Sequence, residues 1–211
     1  MSEIGLDRIS DRIYQELLIL SADRIAAFSA SCSERFVGLY EDFVGKSGWG
    51  DFSVVRKALD LAWTFLSKKQ VSYEQLRRGI SNIDRLTPHS DDFDLVETTF
   101  AQDACGCVYQ ALAWCLGKSD SPEAIVECSF EAIRVARTFT LTGTLDLGSG
   151  PSAQQFEKVL VDDPYIQKEI RLKEEDLAIL TTARIVSPVV LTELKQRAEQ
   201  NRWEASDLLG N

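Results

Sequence analysis

The sequence predicts an all-α fold: a single domain built as a bundle of about seven to nine helices around a central apolar helix. Three observations carry that expectation. Apolar residues recur at three- and four-residue steps through most of the chain. Capping residues stand directly ahead of several of these stripes, and Ser-Pro or Asp-Pro pairs punctuate the second half. The 211 residues, 45% hydrophobic and 27% charged, are enough to bury a core without a metal or disulfide staple.

Taken in order, Ile4, Leu6, Ile9, Ile13, Leu17 and Leu20 form one stripe, which makes a helix over residues 3–20. Ile25, Phe28, Phe36, Leu39, Tyr40 and Phe43 continue the rhythm in a second helix that stops at Gly45 to Gly50. Asp51 stands where it can cap a third, whose stripe is Phe52, Val55, Leu59, Ala62, Trp63 and Leu66. Ser72 and Gln75 have capping-box spacing and open a shorter helix over residues 73–84. Asp91 and Asp92, ahead of Phe93, suit the positive end of a fifth helix running to about Leu116.

That fifth helix is expected at the centre. Phe93, Val96, Phe100, Ala104, Cys107, Val108, Ala111, Leu112 and Cys115 cover about 160° of its circumference. Ser121-Pro122, Asp163-Pro164 and Ser187-Pro188 then open three further helices. Thr138 to Leu147 alternates polar and apolar residues, which is strand chemistry. A lone strand would leave its ladder groups unpaired, so a fraying helix end is expected, with a short hairpin as the alternative. Gly148 to Pro151 reads as a loop dividing a core helical bundle, residues 1–147, from a C-terminal helical arm, residues 148–211, packed on the same domain.

The net charge is −10. Such a surface repels phosphate backbones and anionic lipid, so neither nucleic acid nor membrane is expected as a partner, and a basic protein suits it better. Met1 to Asp11 is charged and lacks the apolar run of a signal peptide or anchor. Five cysteines, an odd number without an export signal, point to reduced thiols and a cytoplasmic location.

Candidate chemistry rests on acidic residues. Asp91, Asp92 and Asp94 place three carboxylates within four residues, just after the only histidine, His89. A hard cation accepts such oxygens, but the ligand spacing and turn glycine of an EF-hand loop are missing, so helix capping is the preferred reading. Asp103 lies at the edge of the broad apolar stripe and needs a partner if half buried. Asp60 has a similar flank, with Arg56 one turn before it and Trp63 beside it, and Glu34-Arg35 is a charged pair inside an apolar helix.

Two readings of these residues stay open. In the preferred one, Glu34, Arg35, Arg56, Asp60 and Asp103 form an ion-pair network that fixes helix register. In the other, Asp60, Asp91, Asp92, Asp94 and Asp103 line a polar pocket for a ligand, a metal or acid–base chemistry. Cys105 and Cys107 diverge by about 200° on a helix and cannot chelate one zinc together. No phosphate loop, nucleophile elbow or HExxH motif is present, and one histidine in a polar turn leaves no triad. No catalytic residue, metal or cofactor is therefore assigned.

Several landmarks in order resemble the YjaG-like family of bacterial proteins, a family built on a domain of unknown function. They are FSASCSERFVGLYEDF (Phe28, Ala30, Glu34, Arg35, Tyr40, Phe43), SGWGD (Gly48, Gly50, Asp51) and RKALDLAW (Arg56, Leu59, Asp60, Leu61, Trp63). DDFDL and DAC follow (Asp91, Asp92, Phe93, Asp94, Leu95, Asp103, Ala104, Cys105), with weaker agreement through AIVECS and DPYIQKEI, including Pro164 and Glu169. The resemblance covers roughly residues 20–185 and departs after Ala136, where the alternating stretch and GSGP replace a more acidic, helical segment. It implies an all-α cytoplasmic bacterial protein and carries over no catalytic residue.

The functional expectation is a non-catalytic protein-binding module whose acidic surface covers a basic partner, as an immunity-type inhibitor covers a toxin. The alternative is a small-ligand or metal-binding protein, or a hydrolase, using the clustered aspartates. A homodimer formed through the stripe of the first helix is a third arrangement.

Overall fold

A computed structural model of the chain describes residues 5–119, 121–144 and 158–209. The described residues form nine α-helices: α1 Leu6–Leu18, α2 Ala22–Ser47, α3 Phe52–Leu66, α4 Tyr73–Leu86, α5 Glu97–Cys115, α6 Glu123–Thr144, α7 Pro164–Thr182, α8 Pro188–Gln200 and α9 Ala205–Leu209. A single 3-10 turn, Ser90–Asp92, lies between α4 and α5. No strand occurs among the described residues.

Local capping chemistry sets most boundaries. Asp51 accepts from the backbone N–H of Ser53 at 2.9 Å and of Val54 at 3.4 Å, which starts α3. Ser72 and Gln75 close a reciprocal capping box at the head of α4. Asp163 accepts from Tyr165 and Ile166 ahead of α7, Ser187 from Val190 ahead of α8, and each is followed by proline. At the other end of α2, Gly48 takes the left-handed conformation, with φ of 68°, and its N–H reaches the Val44 carbonyl.

Helix α5 lies at the centre and shares that place with α2, against which it packs along its length. Every residue of α2 from Ile25 to Tyr40 is buried. The serines that interrupt its apolar pattern are satisfied inside: Ser29 and Ser33 donate to the carbonyls four residues back, at 2.8 and 2.7 Å. Helices α3 and α4 cover one side of the α2–α5 pair, α6 another, and α7, α8 and α9 the remainder of α2. The α1 stripe of Leu6, Ile9, Ile13 and Leu17 is buried within its own chain, where α1 packs on α6 and α7.

Two expectations change. Helix α5 begins at Glu97 rather than at Phe93, so Asp91 and Asp92 do not cap it. Phe93 is extended, with φ of −140°, and its ring packs edge-on against Phe43 at 5.1 Å. Burying that ring favours the extended conformation over one more helical turn. The alternating stretch is helical from Thr138 to Thr144, as a continuing helix requires, while Leu145 to Leu147 and the Gly148–Pro151 divider lie outside the described residues.

One glycine marks a close approach. A Cβ on Gly38, in the middle of α2, would stand 2.9 Å from the backbone oxygen of Trp203 and 3.1 Å from Cδ of Arg202. The segment before α9 therefore lies directly on α2, where the N–H of Trp203 donates to the Arg35 carbonyl at 2.7 Å. Gly38→Ala is expected to destabilise the chain by about 1–3 kcal/mol in urea titrations, although alanine is the better helix former by about 1 kcal/mol.

Candidate functional site

Neighbouring residues on a helix project about 100° apart. Glu34 and Arg35 therefore address different partners, and the five-member network expected from the sequence divides. Glu34, fully buried, accepts from Arg56 at 2.6 and 2.9 Å, from the indole N–H of Trp63 at 3.1 Å and from Arg202 at 2.6 Å. Arg56 also holds Asp60, one turn along α3, at 2.7 Å, and the Asp60 side chain remains 49% exposed. Two guanidinium groups and an indole hold the Glu34 carboxyl below the usual carboxylate range, against the opposing effect of burial.

Arg35 points the other way, toward α7. Its guanidinium meets Glu169 at 2.8 Å and Asp176 at 2.7 Å, with all three side chains at 0–1% exposure. Ser31 donates to Asp176, and the indole N–H of Trp203 donates to Glu169 at 3.1 Å. Lys173, also fully buried, lies 3.7 Å from Glu169 and 3.2 Å above the Phe130 ring, with no hydrogen bond to its amine among the described residues. Burial draws the Lys173 amine below the usual lysine range, while Glu169 opposes that. Two carboxylates thus face Arg35 and Lys173 in the driest part of the molecule.

Sequence reasoning found Arg35 but missed these partners. Glu169, Lys173 and Asp176 stand at i, i+4 and i+7, which is one face of α7. That spacing was the available signal. A charged face at helical period reads as solvated unless an unpaired cation is known to need it.

Asp103 belongs to neither group. It lines a cleft of about 1020 Å³ that α1 and α6 form over α5. Asp7 and Asp11 come from α1, and Glu123, Glu127 and Glu131 from α6. Arg134 is the only basic side chain among the lining residues, and it forms a bidentate pair with Glu131. Oδ2 of Asp103 is buried with no hydrogen-bond partner among the described residues. Burial, helped by Glu131 and opposed by Arg134, pushes this carboxyl up to about 8. Asp103 is therefore mostly protonated at pH 7. Cys128, also in the wall, has its thiol pushed up to about 12 by burial and nearby carboxylates, so it is no nucleophile at neutral pH.

The pocket of aspartates expected as the alternative is not assembled. Asp60 sits on α3 beside Arg56, while Asp91, Asp92 and Asp94 are exposed around the 3-10 turn. None of them lines the Asp103 cleft. Helix α5 starts after these aspartates, which turns them outward, away from its buried face. Among the described residues no three His, Cys, Asp or Glu side chains converge as a metal-binding group.

A family model described as "Protein of unknown function (DUF416)" matches residues 12–204, from α1 through to the segment that lies on α2. The chain belongs to the DUF416 family. It is 25% identical over 174 residues to the uncharacterized protein YjaG of Escherichia coli strain K12, a match covering 82% of this chain and 83% of that one. The fold is shared with a crystal structure of a DUF416 family protein from Shewanella baltica OS155, solved at 1.91 Å. That likeness has a TM-score of 0.71 at 18% identity and covers 91% of this chain and 95% of the other. No helix among the described residues is long and apolar enough to cross a membrane.

Three outcomes follow from the charges. Arg35→Met leaves Glu169 with Lys173 at 3.7 Å and Asp176 with Arg197 at 4.0 Å, and is expected to cost about 3–5 kcal/mol in urea unfolding. Arg56→Met is expected to cost less, because Glu34 keeps Arg202 and Trp63. Asp103 carries its proton in the folded state up to pH about 8, against an ordinary value of 3.8. Between those values the folded state binds more protons than the unfolded state, so this residue lowers stability as pH rises from about 4 to about 8. Asp103→Asn is expected to stabilise the chain at pH 8 by about 1–3 kcal/mol in thermal melts, a gain that fades toward pH 4.

Proposed function

We propose that the chain is a non-catalytic, cytoplasmic binding module that takes a basic segment of a partner protein into the cleft between α1 and α6. One observation carries this reading: six acidic side chains, the protonated Asp103 among them, line an open cleft that supplies a single guanidinium, already engaged by Glu131. The charges of the core are paired within the chain, whereas Asp7, Asp11, Glu123 and Glu127 in the cleft have no cation of their own among the described lining residues. Low-dielectric walls focus that potential and speed the approach of a positively charged segment.

Asp103 deepens the selectivity of the site. An ammonium or guanidinium group held in the cleft close to Asp103 favours its ionised form, so arrival of the cation draws off the proton. A neutral or anionic segment gains nothing there and leaves the surrounding carboxylates unpaired. Catalysis is the weaker reading, because the cleft offers a protonated acid but no activated nucleophile or histidine to work with it. The five free thiols support a reducing compartment.

The test is fluorescence anisotropy with a labelled oligolysine peptide. The expected result is binding that weakens roughly tenfold as salt rises from about 50 to about 300 mM. Asp11→Asn with Glu127→Gln is expected to weaken binding about tenfold, which corresponds to about 1.4 kcal/mol. The same charge change on α4, Glu74→Gln with Asp84→Asn, should shift it by less than about twofold. Equal losses from the two double variants, or no binding at low salt, would overturn the cleft as the site.

A further inference from the structure

Two turns that are far apart in the sequence meet at one edge of the bundle. The first, Ser47 to Asp51, joins α2 to α3; the second, His89 to Val96, joins α4 to α5. Phe43, near the end of α2, holds them together. Its ring is 5.1 Å from that of Phe93 and 6.2 Å from that of Trp49, and Trp49 and Phe93 lie 5.5 Å apart. Phe43 is fully buried and Phe93 half-buried, but Trp49 remains 36% exposed.

The turn presenting Trp49 is fixed on both sides. Gly50 has φ of +96°, where an L side chain is strained, and a Cβ there would stand 2.5 Å from the hydroxyl of Tyr40. The indole is therefore held in place by its neighbours while part of its surface faces water. Asp91, Asp92 and Asp94 flank Phe93 in sequence, are all exposed, and pair with no cation among the described residues. Lys46, the basic residue at the end of α2, is engaged by Glu97 at 2.5 Å.

We infer that Trp49 and the Asp91–Asp94 turn form a second docking surface, separate from the cleft, for an arginine-bearing segment of a partner protein. The residues present make both halves of that recognition. An indole is the strongest aromatic acceptor for a cation stacked on its face, and a planar guanidinium stacks there better than an ammonium. Exposed carboxylates on either side of Phe93, whose ring packs 5.5 Å from that indole, accept the fork of N–H donors that only arginine presents. Tryptophan is also enriched among the few residues that dominate protein interfaces. A second copy of this chain fits poorly, because two such turns would bring like charges together.

The surface is tested by following the indole N–H resonance of Trp49 while an arginine-rich peptide is added, with an oligolysine of equal charge as comparison. The background is the Asp11→Asn, Glu127→Gln variant, so failure of the cleft reading leaves this measurement intact. The expected result is a saturable shift of the Trp49 resonance, with the arginine peptide binding about tenfold more tightly than the lysine peptide. Trp49→Ala should weaken binding about tenfold. Asp91→Asn with Asp92→Asn, at two exposed positions that leave the fold intact, should weaken it about threefold to tenfold. An unmoved Trp49 resonance, equal affinity for the two peptides, or unchanged binding by the aspartate variant would overturn the proposal. So would a Trp49 shift produced by raising protein concentration alone, which would place a second copy there.

Discussion

Arg35 is the constraint on which the rest of the arrangement depends. A guanidinium at the middle of the most buried helix cannot lose its charge, and in a dry interior an unpaired one would be prohibitively costly. The chain answers with Glu169 and Asp176 from α7, Ser31 from the preceding turn of α2, and the Trp203 indole holding Glu169 from its other side. Such pairs add little net stability over a well-packed apolar core. What they do is tie α7 to α2 at two points of its buried face.

The same helix explains why the fold was legible in outline and its polar interior was not. Caps are local, so Asp51, Ser72, Asp163 and Ser187 could be read from neighbouring letters, and each marks a helix start. The start of α5 was misplaced because Phe93 is fixed by Phe43, fifty residues away, and no local signal records that contact. Helix α2 hid its central place behind Ser29, Ser31, Ser33, Glu34 and Arg35, which lower its apolar content while all being buried. Grouping Glu34 with Arg35 followed from adjacency in sequence, where the 100° step between them sends each to a different helix.

The candidate surfaces show the complementary pattern. Inside, carboxylates and cations are matched around Glu34 and around Arg35; in the cleft and at the Trp49 edge, carboxylates outnumber the cations near them. Asp103 was singled out by its place at the border of an apolar stripe, and it does occupy a half-buried position. What the sequence could not supply was α1 and α6 closing over it, since that depends on how three helices meet.

The contact between Trp203 and α2 has a consequence for synthesis. Arg35 leaves the ribosome early, whereas Glu169 follows 134 residues later and Trp203 later still. Until then the nascent α2 must keep its guanidinium in water, so the core cannot close helix by helix as the chain emerges. Consolidation around Arg35 waits until residues 169 to 203 have been made, so the α2 core closes late rather than helix by helix.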